Sequence, residues 1–164
     1  MMRKGRAIVT EFFVSPAKAL FALDLWDAAD IVPGDIVLPG PGRALLGAGG
    51  AVLRVGPRRW WLDGAGLFAD EALAGRGVLT EIGGGWARVR LVGDWRDLVM
   101  QSGLFDAEAP AFDPGAVAVT PLCHAPCVLH VRAQTWCEVF IAASHVAHCL
   151  AHWRELGWQQ GVGT

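Results

Sequence analysis

Alternating and continuous apolar runs, punctuated by Gly and Pro, divide this chain into elements. Residues 7–14 are β-rich and predict a strand, and Pro16 permits a helix start for residues 18–29. Residues 31–50 hold Pro33, Gly34, Pro39, Gly40, Pro41 and Gly42 and read as turns around Ile36-Val37-Leu38. Residues 51–55 and 60–62 predict a hairpin turned by Gly56-Pro57-Arg58-Arg59, and residues 67–73 a helix ended by Gly75 and Gly77.

The second half has a clearer rhythm. Residues 78–82 and 86–92 flank the triple glycine 83–85, a hairpin turn signal, and Trp86, Arg88 and Arg90 alternate with Ala87, Val89 and Leu91. Asp94 is placed to N-cap the next helix, with Asp97 as a shortened capping-box partner. Trp95, Leu98, Val99 and Ser102 fall on one side of that helix, and Gly103 stands where a left-handed cap belongs. Pro114-Gly115 turns the chain into a strand over 116–123, and Ala125-Pro126 into another over 127–132. A last strand over 136–141 feeds a helix opening near Ser144 and running to about Glu155. From residue 80 the order is β2-α-β3-α. The expected fold is α+β, one domain over residues 1–164, with a mixed and mostly antiparallel sheet and helices on one side. The last helix should lie on the strand at 136–141. No internal repeat is legible between residues 1–77 and 78–157, and residues 158–164 read as a flexible tail.

Composition narrows the function. The 164 residues are 53% hydrophobic and 18% charged, with a net charge of −2 and eight Trp. No basic tract points to nucleic acid. No apolar run is long enough to span a bilayer, and the apolar start is not a signal peptide, so a cytoplasmic chain is expected. Four Cys in that compartment should be thiols. Eight indoles with a low charged fraction are hard to bury in a small domain, so some are expected on a partner surface.

Three constellations could carry chemistry. Gly47-Ala48-Gly49-Gly50-Ala51-Val52 lacks the sixth-position glycine of a dinucleotide fingerprint and leads into a strand, so its glycines read as turns. Cys123 and His124 are adjacent on a strand and point to opposite faces, which argues against a Cys–His nucleophile. His145, His148, Cys149 and His152 form a helical stripe, at about 0°, 300°, 40° and 340°, beside the apolar face of Val146, Leu150 and Trp153. With Cys123-His124-x-x-Cys127 they supply metal candidates: Cys123, Cys127, His148 and His152. A histidine-rich partner surface (His145, His148 and His152, with Trp153 and Trp158) and buried structural thiols at Cys127, Cys137 and Cys149 are the preferred readings.

Several segments resemble one family. Gly56-Pro57-x-x-Trp60-Trp61-Leu62 resembles a Gly-Pro-x-x-Trp-Leu hairpin, and Arg90-Leu91-Val92-Gly93-x-x-x-Arg96-Asp97-Leu98 a strand–Gly–helix step, of the glycine-cleavage T-protein superfamily. Phe112-x-Pro114-Gly115-x-x-x-x-Thr120 and Ser144-His145-x-x-x-x-x-Leu150-x-x-Trp153 resemble its sarcosine oxidase gamma-subunit branch. The match covers residues 55–153. It implies half of a folate-binding-type domain that packs on a large subunit. Flavin, NAD and tetrahydrofolate would be held elsewhere in the complex, and this chain would bind no cofactor by itself. Catalytic T-proteins carry paired carboxylates on a hairpin that corresponds here to Ala125-Pro126-Cys127-Val128-Leu129-His130, which has none. A group able to relay a proton or stabilise a cation is therefore missing there, and no catalytic residue is assigned. The alternative is a stand-alone folate-binding or regulatory module. Sarcosine is the default substrate of the parent complex, a homo-oligomer is a possible state of the isolated chain, and no membrane partner is expected.

Overall fold

The structure is a computed structural model that describes residues 10–27, 31–32, 36–47, 49–64 and 73–162. In chain order its strands are β1 (Glu11–Pro16), β2 (Leu20–Leu25), β3 (Ile31–Val32), β4 (Ile36–Val37), β5 (Ala44–Gly47), β6 (Gly50–Gly56), β7 (Arg59–Asp63), β8 (Gly77–Glu81), β9 (Trp86–Val92), β10 (Val117–Leu122), β11 (Ala125–Ala133), β12 (Trp136–Ala142) and β13 (Gln159–Gln160). Among the described residues the α-helices are α1 (Trp95–Ser102) and α2 (Val146–Glu155).

One sheet runs β10-β11-β12-β9-β1-β13 and another β5-β6-β7-β2-β8. Every pairing in them is antiparallel except β1 with β13. The expected α+β class with mostly antiparallel sheet is therefore what the chain forms.

Period-two alternation sets the layers. Val89, Leu91, Leu129, Val131, Val139 and Ile141 turn one face of the six-stranded sheet toward Trp95, Leu98, Cys149, Leu150 and Trp153 of the helices. The opposite face, through Val117, Val128 and Phe140, packs on Leu20, Ala22, Leu53 and Trp61 of the second sheet. The outer face of that second sheet, with Leu23, Leu25, Trp60 and Leu62, is closed by Leu38 and Leu73. The buried side of α2 (Cys149, Leu150, Trp153) shares one core with Cys137, Val139 and Ile141 of β12.

Several expectations are corrected. Residues 20–25 form β2 rather than a helix. Leu20 and Ala22 face one core, Leu23 and Leu25 the other, so the strand is covered on both sides. That produces the near-continuous apolar run that reads as a helix. The triple glycine makes a short 3₁₀ turn, not a hairpin. It carries the chain from β8 in one sheet to β9 in the other. A Cβ at Gly83 would stand 2.3 Å from the Ala17 carbonyl oxygen, so the crossover leaves no room for a side chain.

At α1, Asp94 holds the N-cap position without a side-chain capping bond. Asp97 instead accepts from Gln101 Nε2 at 2.6 Å. Gly103 is extended, with φ −139°, and fits close packing: a Cβ there would meet a Leu122 methyl at 2.9 Å. The turn between β10 and β11 is Cys123-His124, not Ala125-Pro126, and both residues are left-handed, with φ +51° and +63°. The tail does not run free from residue 158. Trp158 is buried, and Gln159–Gln160 pairs with β1. The helix expected over 67–73 lies outside the described residues apart from Leu73, as do residues 7–9 of the first strand.

The hairpin of β6 and β7 forms as expected, with a register irregularity between Arg54 and Gly56. The Gly47–Gly50 stretch closes the β5–β6 hairpin.

Candidate functional site

Two turns meet at one end of the sandwich, that between β6 and β7 and that between β10 and β11. Between them opens a cleft of about 380 Å³. Val55, Trp61, Trp86, Val119, Pro121 and Pro126 make its walls apolar, and Arg59, Thr120 and His124 bring polar groups to it. Trp61 and Trp86 meet edge to face, their ring centroids 4.6 Å apart. Trp61 also stands at right angles to Phe140 at 5.7 Å. Arg59 is already committed to Asp24, with Nε 2.5 Å from Oδ1. The cleft suits a bulky apolar group, with few polar contacts left to orient it.

The cysteine cluster assembles differently from the metal reading. Cys123, Cys127 and Cys149 come together, all buried and all free thiols. Cys149 Sγ donates to the Leu122 carbonyl oxygen at 3.9 Å, and the three thiols are near enough to perturb one another's pKa. The neighbouring Cys149 and burial push the Cys123 thiol far above its ordinary value. Cys127 is lowered by Cys149 against the opposing effect of burial. Cys149 stands at about 11: Cys123 lowers it, and Cys127 together with burial outweighs that. Full burial raises Cys137 as well. His148 and His152 lie beside Cys123 rather than bonded to its sulfur, and His152 acts on that thiol through its charge. His148 Nε2 lies 3.2 Å from the Cys123 carbonyl oxygen, and His152 Nδ1 lies 4.0 Å from Glu155. Among the described residues no group of three His, Cys, Asp or Glu could hold a metal ion.

Of the residues expected on a partner surface, His145 and His148 are exposed and His152 is partly so. Trp153 and Trp158 are core. Trp153 packs edge-on against Phe12 at 6.2 Å, and its Nε1 donates to Ser102 Oγ at 3.0 Å. The sequence placed both indoles beside exposed histidines, but α2 turns its Cys149-Leu150-Trp153 side to the sheet, and Trp158, beyond the helix end, is buried where Gln159–Gln160 joins β1.

A polar cluster that the sequence pattern hid lies on the face of the six-stranded sheet opposite the helices, running from buried His130 to exposed Arg90. His130, Glu138 and Arg90 form one cross-strand row on the face opposite the helices. Glu138 accepts from Arg132 at 2.9 Å, and Asp63 reaches across from β7 to pair with Arg88. His130 is fully buried, and neither ring nitrogen has a hydrogen-bond partner. Burial, then the nearby Arg132, lowers its pKa to about 4, so the ring is neutral. Burial also raises the Asp63 carboxyl, which Arg88 offsets only in part. The only sequence signal for this row was the alternation of Arg88 and Arg90 in β9.

No family model matches the chain, and no curated protein matches it. A solved structure does: a chain of the heterotetrameric sarcosine oxidase from Corynebacterium sp. U-96, in complex with pyrrole 2-carboxylate. The TM-score is 0.67 at 21% identity, over 88% of this chain and 80% of that one. The shared feature is the fold. The likeness covers most of the chain rather than one motif. No helix among the described residues is long and apolar enough to cross a membrane.

Proposed function

We propose that this chain is the small, gamma-type subunit of a heteromeric sarcosine oxidase-like complex and has no turnover by itself. The observation that carries this reading is the extent of the fold likeness. It takes in most of both chains, which makes them close in length, as expected for a match between two small subunits. The residues agree with a non-catalytic role. The β10–β11 hairpin carries no carboxylate between residues 125 and 130. The carboxylates of the polar cluster are engaged: Glu138 by Arg132, and Asp63 by Arg88. In this reading flavin, NAD and tetrahydrofolate are carried by the other subunits, the amine oxidised is sarcosine or a related N-methyl amino acid, and the complex works in the cytoplasm.

The purified chain, given sarcosine or methylenetetrahydrofolate, is expected to show no oxidation and no one-carbon transfer above the uncatalysed rate. Measurable turnover by the chain alone would overturn the subunit reading. The aromatic cleft favours one second reading, a stand-alone folate-binding module. Calorimetry with tetrahydrofolate separates the two: tight binding without a partner supports the module, and the absence of heat supports the subunit.

A further inference from the structure

Trp26 is the one tryptophan of the eight left widely open, at 59% exposure. It follows β2, and its carbonyl accepts from Arg58 Nη1 at 2.6 Å. Beside it, Val78 is 38% exposed. With Val55, Pro57 and the two arginines 58 and 59 they line an open groove of about 690 Å³. That groove adjoins the inter-sheet cleft, with Val55 and Arg59 lining both. At its far lip Val119 is 60% exposed.

The charges along this depression are unequal. Asp24 is held by Arg59 at 2.5 Å, and Asp27 by Arg76 at 3.2 Å. Arg58 meets only a carbonyl and has no carboxylate partner among the described residues. An exposed indole next to an unneutralised guanidinium, above an apolar cleft, has the composition of an interface centre rather than of a solvated surface. The α2 edge offers His145, His148 and His152 but holds its tryptophans inside.

We propose that this depression is where the chain docks on the larger subunit of its complex. The occupant is a segment of that subunit that inserts a bulky apolar side chain into the cleft, packs on Trp26 and sets a carboxylate against Arg58. This rests on the subunit reading above and adds the surface and the chemistry of its partner. A carboxylate there gains a charge-assisted contact in a partly desolvated site, and the apolar insertion removes Trp26, Val78 and Val119 from water.

The test uses the full chain and the flavin-containing subunit that co-purifies with it. Dissociation constants are measured for wild type, Trp26→Ser, Arg58→Glu, and the pair His148→Ala and His152→Ala. Trp26→Ser should weaken binding about 30-fold or more, as for a truncated interface tryptophan. Arg58→Glu should weaken it about tenfold or more, with a larger effect at low salt. Both variants should melt close to wild type, because neither side chain is in the core. If both bind within about twofold of wild type, the surface is misplaced. Weakening by the histidine variants alone moves it to α2. Failure to recover any flavin-containing subunit sinks the subunit reading and this inference together, whereas recovery with normal binding by the variants sinks only this one.

Discussion

Trp153→Ala is expected to destabilise the chain by about 3–5 kcal/mol, which is a large part of the stability of a domain this size. The indole has no exposed surface and belongs to the core between α2 and the six-stranded sheet. Truncation removes its contacts with Phe12 and leaves the half-buried Ser102 hydroxyl without the N–H it accepts at 3.0 Å. The loss should appear as a lower urea midpoint with an unchanged slope. Trp26→Ala serves as contrast: its side chain is mostly in water, and its loss should cost within about 0.5 kcal/mol. Equal effects at the two positions would mean that the core between helix and sheet is drawn wrongly.

The second large effect is on acid stability. His130 has a folded pKa of about 4 against an ordinary 6.5. Above 6.5 it is neutral in both states and contributes nothing to the pH dependence. As the pH falls from 6.5 to 4, the unfolded chain takes a proton that the folded chain refuses, so stability drops. The loss levels off below 4 at about 3 kcal/mol. Glu138, Arg132 and, from the facing sheet, Asp63 surround this ring or its immediate partners. Asp63 acts in the opposite sense, because a raised carboxyl pKa adds stability as the pH falls. Comparison with His130→Leu isolates the histidine. The variant removes two unpartnered buried nitrogens, so at pH 7 it should be as stable as wild type or more so. Its melting temperature should lose the descent between pH 6.5 and 4. If the variant keeps the wild-type slope, His130 is not buried neutral.

How much of this was legible in the sequence depended on whether local pattern and tertiary environment agreed. Within the elements from β9 to α2 they agree, though not at every turn between them. One face of each strand is apolar, α1 shows its buried residues at helical spacing, and α2 follows β12 with a short turn, so class and element order were readable. In the first half they conflict. β2 is apolar on both faces because it is a central strand between two cores, and no periodicity distinguishes that from a buried helix. Gly83–Gly85 has the composition of a hairpin turn, but the strands it joins pair with β2 and β12, partners far away in sequence. The β10–β11 turn was misplaced because two successive non-glycine residues rarely take left-handed conformations. The indoles were the hardest to place: five of the eight are buried, including Trp153 and Trp158, and the widely exposed one, Trp26, lies in a segment that reads as helix.

The subunit reading is tested most directly by the mass of what this chain forms in its native cell. An affinity-tagged chain, recovered under gentle conditions and weighed by native mass spectrometry, should emerge with a larger flavin-containing subunit in fixed stoichiometry. The recovered assembly should oxidise sarcosine or a related N-methyl amino acid while the chain alone does not. Recovery of the chain as a monomer or homo-oligomer, with no flavin and no partner, would contradict the account.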